Sequence, residues 1–128
     1  MKRNLFLSSV LTVLVLLAAC TNPVAPSEPQ AIGNPTPKDY LKYENADIFL
    51  LNGIVHSNME DVEWVQELAY TLGEEVGEIT KQTNSAQEFE NGTSNKLPVG
   101  TKIYRTDTPL YIAIVNGKEI RYMEMLEG

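Results

Sequence analysis

The sequence predicts an α+β domain in which one amphipathic helix packs on a small, mainly antiparallel sheet that ends in a C-terminal β-hairpin. Three observations carry this expectation. Val62, Val65, Leu68, Ala69 and Leu72 recur at helical spacing. Asn116-Gly117 separates two apolar runs, the pair that a two-residue hairpin turn prefers. Around them lie further short segments of strand composition, bounded by turn residues.

Taken in order, Ile48 to His56 reads as a buried strand with a kink or bulge at Gly53. Asn58 then offers an N-cap and Asp61 stands three residues on, so the apolar stripe predicts a helix over 59–72, stopped by Gly73. Glu60, Glu63 and Glu67 fall on its solvated side. Glu75 to Lys81 reads as a second strand, weakened by Gly77. The polar stretch 82–96 is long for a connection in a small domain and reads as a mobile or a functional loop. Thr101 to Arg105 is the next strand, and Asp107-Thr108-Pro109 a turn. Leu110 to Val115 and Lys118 to Leu126 form the hairpin. Its register pairs Val115 with Lys118, Ala113 with Ile120 and Tyr111 with Tyr122 on the face expected to meet the core. The other face carries Leu110 with Met123, Ile112 with Arg121 and Ile114 with Glu119.

The amino terminus is of a different character. Lys2 and Arg3 precede a mostly apolar stretch, Leu5 to Ala19. As a helix, that stretch would span roughly 22 Å, short of a hydrocarbon core of about 30 Å, so it fits a signal-peptide h-region better than a membrane span. It ends in Leu17-Ala18-Ala19-Cys20, which resembles the lipobox of bacterial lipoproteins. The resemblance implies cleavage before Cys20, a diacylglyceryl group on its thiol, and attachment to the outer face of the cell membrane. Cys20 is the only cysteine, so no disulfide can form within the chain and the core must supply the stability. Five of the seven prolines, Pro23, Pro26, Pro29, Pro35 and Pro37, follow it. That density favours extended polyproline backbone and reads as a tether. The expected organisation is a signal peptide at 1–19, a lipidated cysteine and tether at 20–38, and one small α+β domain at 39–128.

Loss of Lys2 and Arg3 would leave eight basic residues against seventeen acidic ones, a net charge of −9. That sign repels nucleic acid and anionic lipid headgroups, and it argues against DNA or RNA as a partner. The expected partners are the membrane, through the lipid on Cys20, and an envelope protein or a small ligand.

Leu51-Asn52-Gly53-Ile54-Val55, Gly77-Glu78-Ile79 and Ser94 to Tyr104, with its Leu-Pro-Val-Gly-Thr-Lys-Ile-Tyr run, resemble a module of small, uncharacterised lipoproteins from Gram-positive bacilli. The resemblance covers most of residues 47–115. It implies localisation and carries no activity.

Candidate chemistry is sparse. His56 is the only histidine, and Ser57, Glu60 and Asp61 stand beside it. Imidazole with carboxylates suits hydrolysis or metal binding. However, a nucleophile, base and orienting acid rarely come from one short segment, so the plainer reading ends a strand at His56 and caps a helix at Asn58. Glu74, Glu75 and Glu78 lack the spacing of a calcium loop and read as a solvated face. Met123 and Met125 share a strand face but have no histidine or cysteine near them in sequence. Asn91-Gly92-Thr93 reads as a turn. Trp64, Tyr104, Tyr111 and Tyr122 form a candidate recognition surface, since such aromatics concentrate binding energy at interfaces. They are equally suited to fill a small core. The function expected is thus a membrane-anchored, extracytoplasmic, non-enzymatic binding or interaction module without a cofactor. The alternative is a minor envelope hydrolase or metal-handling protein using His56 and nearby carboxylates.

Overall fold

A computed structural model describes residues 33–127. The expected signal peptide, Cys20 and the expected tether as far as residue 32 lie outside the described residues. All the elements below belong to the compact unit Asn34–Gly128. It opens with a short helix, α1 (Pro37–Leu41), where Asp39 Oδ2 accepts from the backbone N–H of Thr36 (2.7 Å) and from its hydroxyl (3.1 Å).

Eight strands then build one sheet: β1 (Ile48–Leu51), β2 (Ile54–Asn58), β3 (Leu72–Glu78), β4 (Lys81–Gln82), β5 (Thr93–Ser94), β6 (Lys102–Thr106), β7 (Leu110–Val115) and β8 (Lys118–Glu124). Their order is β3-β6-β7-β8-β2-β1-β5-β4, antiparallel throughout except for the β4–β5 pair. The domain is therefore mostly β, a curled half-barrel, and the expected α+β arrangement of one amphipathic helix on a small sheet is overturned.

The curl follows from connectivity. β3 and β4 occupy opposite ends of the strand order, yet only Ile79 and Thr80 separate them in the chain. The two ends of the sheet must meet at these residues. Ile79 N–H donates to Thr101 O (2.8 Å), its carbonyl accepts from Gly100 N–H (2.7 Å), and Thr80 N–H donates to Gly92 O (2.8 Å). Gly77 lies against Leu51 of β1 so closely that a Cβ there would stand 2.8 Å from Leu51 Cδ1. Inside the concavity Phe49, Ile79, Leu97, Ile103, Ala113 and Tyr122 form the core, with Leu51, Val76, Tyr111, Val115 and Ile120 packed on it.

The C-terminal hairpin has the register that Asn116-Gly117 predicts: all six pairs, from Val115–Lys118 to Leu110–Met123, are those observed. The same dipeptide also turns the chain at Asn52-Gly53. There, as at 116–117, both residues have positive φ, 53° and 76° against 52° and 79°. Ile48 to Asn58 is consequently a second hairpin and not one kinked strand, with Phe49 opposite His56. Positive φ at both central positions is the requirement of the primed turns that match strand twist.

The helix expected over 59–72 is reduced to one turn, α2 (Glu63–Gln66), and the chain from Leu72 is already strand β3. Contacts along the segment decide this. The backbone leaves β2 still bonded to the sheet, Met59 N–H donating to Arg121 O (2.9 Å). Asn58 Oδ1 accepts from Glu60 N–H (2.6 Å) in an Asx turn and so does not cap a helix. Farther on, Thr71 N–H donates to Asp107 Oδ1 (2.8 Å), and Tyr70 donates its hydroxyl proton to Glu119 while Arg121 stands 5.3 Å over its ring. Residues 59–71 thus cross the convex face of the sheet, where alternation places Leu110 and Ile112 but also Glu119 and Arg121. That mixed face buries Leu110 and Ile112 completely, yet it does not take in the whole of the five-residue apolar stripe. Only Val65 is fully buried, while Leu72 stays 38% exposed. A helix of this length without a face to bury is marginal in water.

The polar stretch 82–96 is not a free loop. It contains the end of β4, a 3₁₀ turn (Ala86–Glu88) and β5, and Thr93, Ser94 and Asn95 are buried. Ser94 Oγ donates to Ile48 O (2.8 Å) and accepts from Leu97 N–H (3.0 Å) and Lys96 N–H (3.2 Å). Asn95 Oδ1 accepts from Ile48 N–H (2.8 Å), and its Nδ2 donates to Ala46 O (2.8 Å). These side chains supply the bonds that so short a strand cannot. At the other end of the sheet, β3 leaves one edge unpaired but carries Glu74, Glu75 and Glu78 and two register shifts, features that discourage pairing with another chain.

Ser94→Ala should destabilise the domain by about 1–3 kcal/mol, because it strips partners from buried backbone groups. Chemical denaturation of both proteins checks this, and an unchanged midpoint would show that the staple is dispensable.

Candidate functional site

His56 lies in the interior of β2 and is 1% exposed. Its ring stacks on Phe49 (centroids 4.6 Å apart, planes at 12°) and stands perpendicular to the ring of Tyr111 (4.7 Å, 88°). The residues that the sequence set beside it do not converge on it. Ser57 alternates to the other face of the strand, opposite Met123. Glu60 Oε2 accepts from Arg121 N–H (2.8 Å), and Asp61 is exposed. The carboxylate that does face the imidazole is Glu124, its cross-strand partner on β8, with Oε2 4.0 Å from Nε2.

The hydrogen bonds fix the state of the ring. A carbonyl only accepts, so the 3.0 Å contact between Nδ1 and Ile54 O requires the proton to be on Nδ1. Nε2 of the neutral ring then presents a lone pair, and it has no partner. Glu124 Oε2 also takes the Tyr111 hydroxyl as a donor at 3.3 Å, and the Arg105 guanidinium stands 5.5 Å over the Tyr111 ring. Burial pushes the His56 imidazole below its ordinary pKa. The Ile54 carbonyl and the Glu124 charge oppose that shift without overcoming it. Beside this cluster is a pocket of about 240 Å³ bordered by Arg105, Tyr111, Glu124 and Leu126 among others.

A larger and more polar concavity, of about 500 Å³, opens at the other end of β2. Tyr40, Tyr43, Asp47, Asn58, Glu60 and Lys96 contribute to its wall. Asp47 is held there from two sides, by the Tyr122 hydroxyl at 2.7 Å and by Asn58 Nδ2 at 2.9 Å. Tyr122 is fully buried, and ring burial of this kind stabilises by about 1.5–3 kcal/mol. An unpaired hydroxyl would cancel much of that gain, so Asp47 is the partner that lets a tyrosine serve as core. Burial, followed by the Asp47 charge, drives the Tyr122 pKa strongly upward. On the convex face burial and Glu119 push the Tyr70 phenol up to about 12.

The four aromatics of the candidate recognition surface do not share one face. Trp64 is 56% exposed on α2, and Tyr104 is half-buried on the convex side opposite Ile112. Tyr111 and Tyr122 pair across β7 and β8 on the concave side. Met123 is half-buried in β8, and Asn91 Oδ1 accepts from Gly53 N–H (2.8 Å), which ties the 91–93 turn to the first hairpin. Sequence reading missed Asp47, Glu124, Arg105 and the pair Tyr40 and Tyr43. Glu124 was within reach, because the hairpin register puts it two residues beyond Tyr122 on the same face. Nothing local marked Asp47.

Among the described residues, no group of three or more histidine, cysteine, aspartate or glutamate side chains is arranged to hold a metal ion, and no helix is long and apolar enough to cross a membrane. Comparison with known proteins finds no matching family model, curated protein or solved structure.

Two outcomes follow from the site. The unfolded chain binds a proton at His56 near the ordinary value of about 6.5, and the fold binds it less readily. The contribution of neutral His56 is therefore complete above that pH and is lost as pH falls toward the depressed folded value. Denaturation at pH 7 and pH 5.5 should show a fall in stability that His56→Phe, which preserves an aromatic ring, makes smaller; equal falls would contradict this assignment. Tyr122→Phe should cost about 1–3 kcal/mol by removing a hydrogen bond to a charged group, and thermal unfolding reads that loss.

Proposed function

We propose that this protein is a lipid-anchored, extracytoplasmic lipoprotein whose β-domain acts as a non-enzymatic binding module. The observation that carries the reading is Leu17-Ala18-Ala19-Cys20. The single cysteine of the chain follows small residues at the end of an apolar stretch with a basic start. Two or three acyl chains anchor a protein durably where one does so only marginally. Prolines 23 to 37 are suited to holding a domain away from the bilayer.

The binding part of the reading draws on the open concavity beside α1. Two tyrosines, a lysine and several carboxylates border it, a mixture of aromatic surface and polar groups suited to a small polar ligand. Separation of His56 from Ser57, Glu60 and Asp61 favours binding over hydrolysis, because a nucleophile and its base must lie within hydrogen-bond reach.

Cys20→Ser tests the anchor. Expressed in a bacterial host with lipoprotein processing, the wild-type protein should fractionate with membranes and take up labelled fatty acid. The variant should lose the label and leave the membrane fraction. Equal membrane partition of the two would overturn the reading.

A further inference from the structure

Glu124 Oε2 lies 4.0 Å from His56 Nε2 and accepts from the Tyr111 hydroxyl at 3.3 Å. Because Ile54 O holds the ring proton on Nδ1, the neutral imidazole offers Glu124 a lone pair and the carboxylate offers it another. Two acceptors cannot bond, so the gap stays open and Nε2 stays unpartnered inside the domain. An unpaired buried nitrogen of this kind costs free energy. One proton added between the two atoms converts a repulsive contact into a charge-assisted hydrogen bond.

We propose that His56 and Glu124 form an acid-triggered latch: uptake of one proton at Nε2 draws the Glu124 carboxylate onto the imidazolium and away from Tyr111, remodelling the pocket that Arg105, Tyr111 and Glu124 border. The proton comes from solvent through Glu124, whose side chain is 32% exposed while that of His56 is 2% exposed. No other bond is made or broken covalently, and the positive charge gained is met by the carboxylate already present. Among the described residues, the titratable and charged groups seen against His56 are Glu124 of β8 and Tyr111 of β7, with Arg105 of β6 behind Tyr111. β1 contributes Phe49, which does not titrate. The stacked Phe49 ring and the perpendicular Tyr111 ring hold the imidazole in place, so the carboxylate is the part free to travel.

The latch is independent of the anchor and would operate in an unlipidated chain. It is tested on the full chain by NMR, following the ring signals of His56 and the ring carbon that bears the hydroxyl of Tyr111 between pH 7.5 and 4.5. His56 is the only histidine, so its signal needs no assignment, and Tyr111→Phe identifies the tyrosine. The expected result is a common midpoint for the two residues. In Glu124→Gln the His56 midpoint should move to lower pH, and the Tyr111 signal should no longer follow it. A Tyr111 signal indifferent to His56 titration overturns the proposal, as does a His56 that takes up its proton only on unfolding. The wild-type titration alone decides between these outcomes if the variant fails to fold.

Discussion

Curling of the sheet is the constraint on which the rest of the domain depends. Strands at opposite ends of an eight-strand order are joined by Ile79 and Thr80, so a flat sheet is geometrically excluded. The curl gives the sheet an inside, and the inside provides the core without a covering helix. It also accounts for Gly77, where β3 presses on Leu51, and for Gly92, whose φ of 94° carries the chain past Thr80. The chain between β2 and β3 must pass over the convex face, and that route, rather than helical propensity, shapes residues 59–71.

Polar side chains serve as structural members wherever strands are too short to satisfy their own backbone. β5 has two residues, and its Ser94 together with the adjacent Asn95 makes contacts that reach Ile48 and Ala46. These bonds join segments more than forty residues apart, inside a region whose composition resembles that of a loop. Asp47 plays a related part for Tyr122, giving a buried phenol the acceptor it needs. With no disulfide available to a chain of one cysteine, such bonds and the aromatic core share the work of stabilisation.

The concave face is not uniformly apolar. Toward one end it passes from Phe49 and Tyr122 to His56, Tyr111, Glu124 and Arg105, so titratable groups stand at the margin of the core. His56 is enclosed, and its Nε2 lies 4.0 Å from the carboxylate of Glu124, whose side chain is 32% exposed. That combination arises because β2 and β8 are neighbours in the sheet although His56 and Glu124 lie far apart in the chain.

Local chemistry was legible in the sequence. Asn116-Gly117 fixed every pair of the last hairpin, because a two-residue turn with positive φ at both positions leaves one register. Asn52-Gly53 carried the same signal, obscured by the apolar continuity of Ile48 to Val55. The 59–72 stripe misled because helical spacing states what a segment could bury and not whether a partner surface exists. By itself, then, the sequence determined the turns, the hairpin register, the acidic balance, and the single cysteine placed after small residues. The tertiary structure alone decided that the sheet curls, that 59–71 crosses it as an irregular strap, and that Glu124, not Ser57, Glu60 or Asp61, faces His56. The physical reason is range: turn geometry is settled within a few residues by sterics and φ, whereas facing pairs and covered faces depend on which distant strands become neighbours.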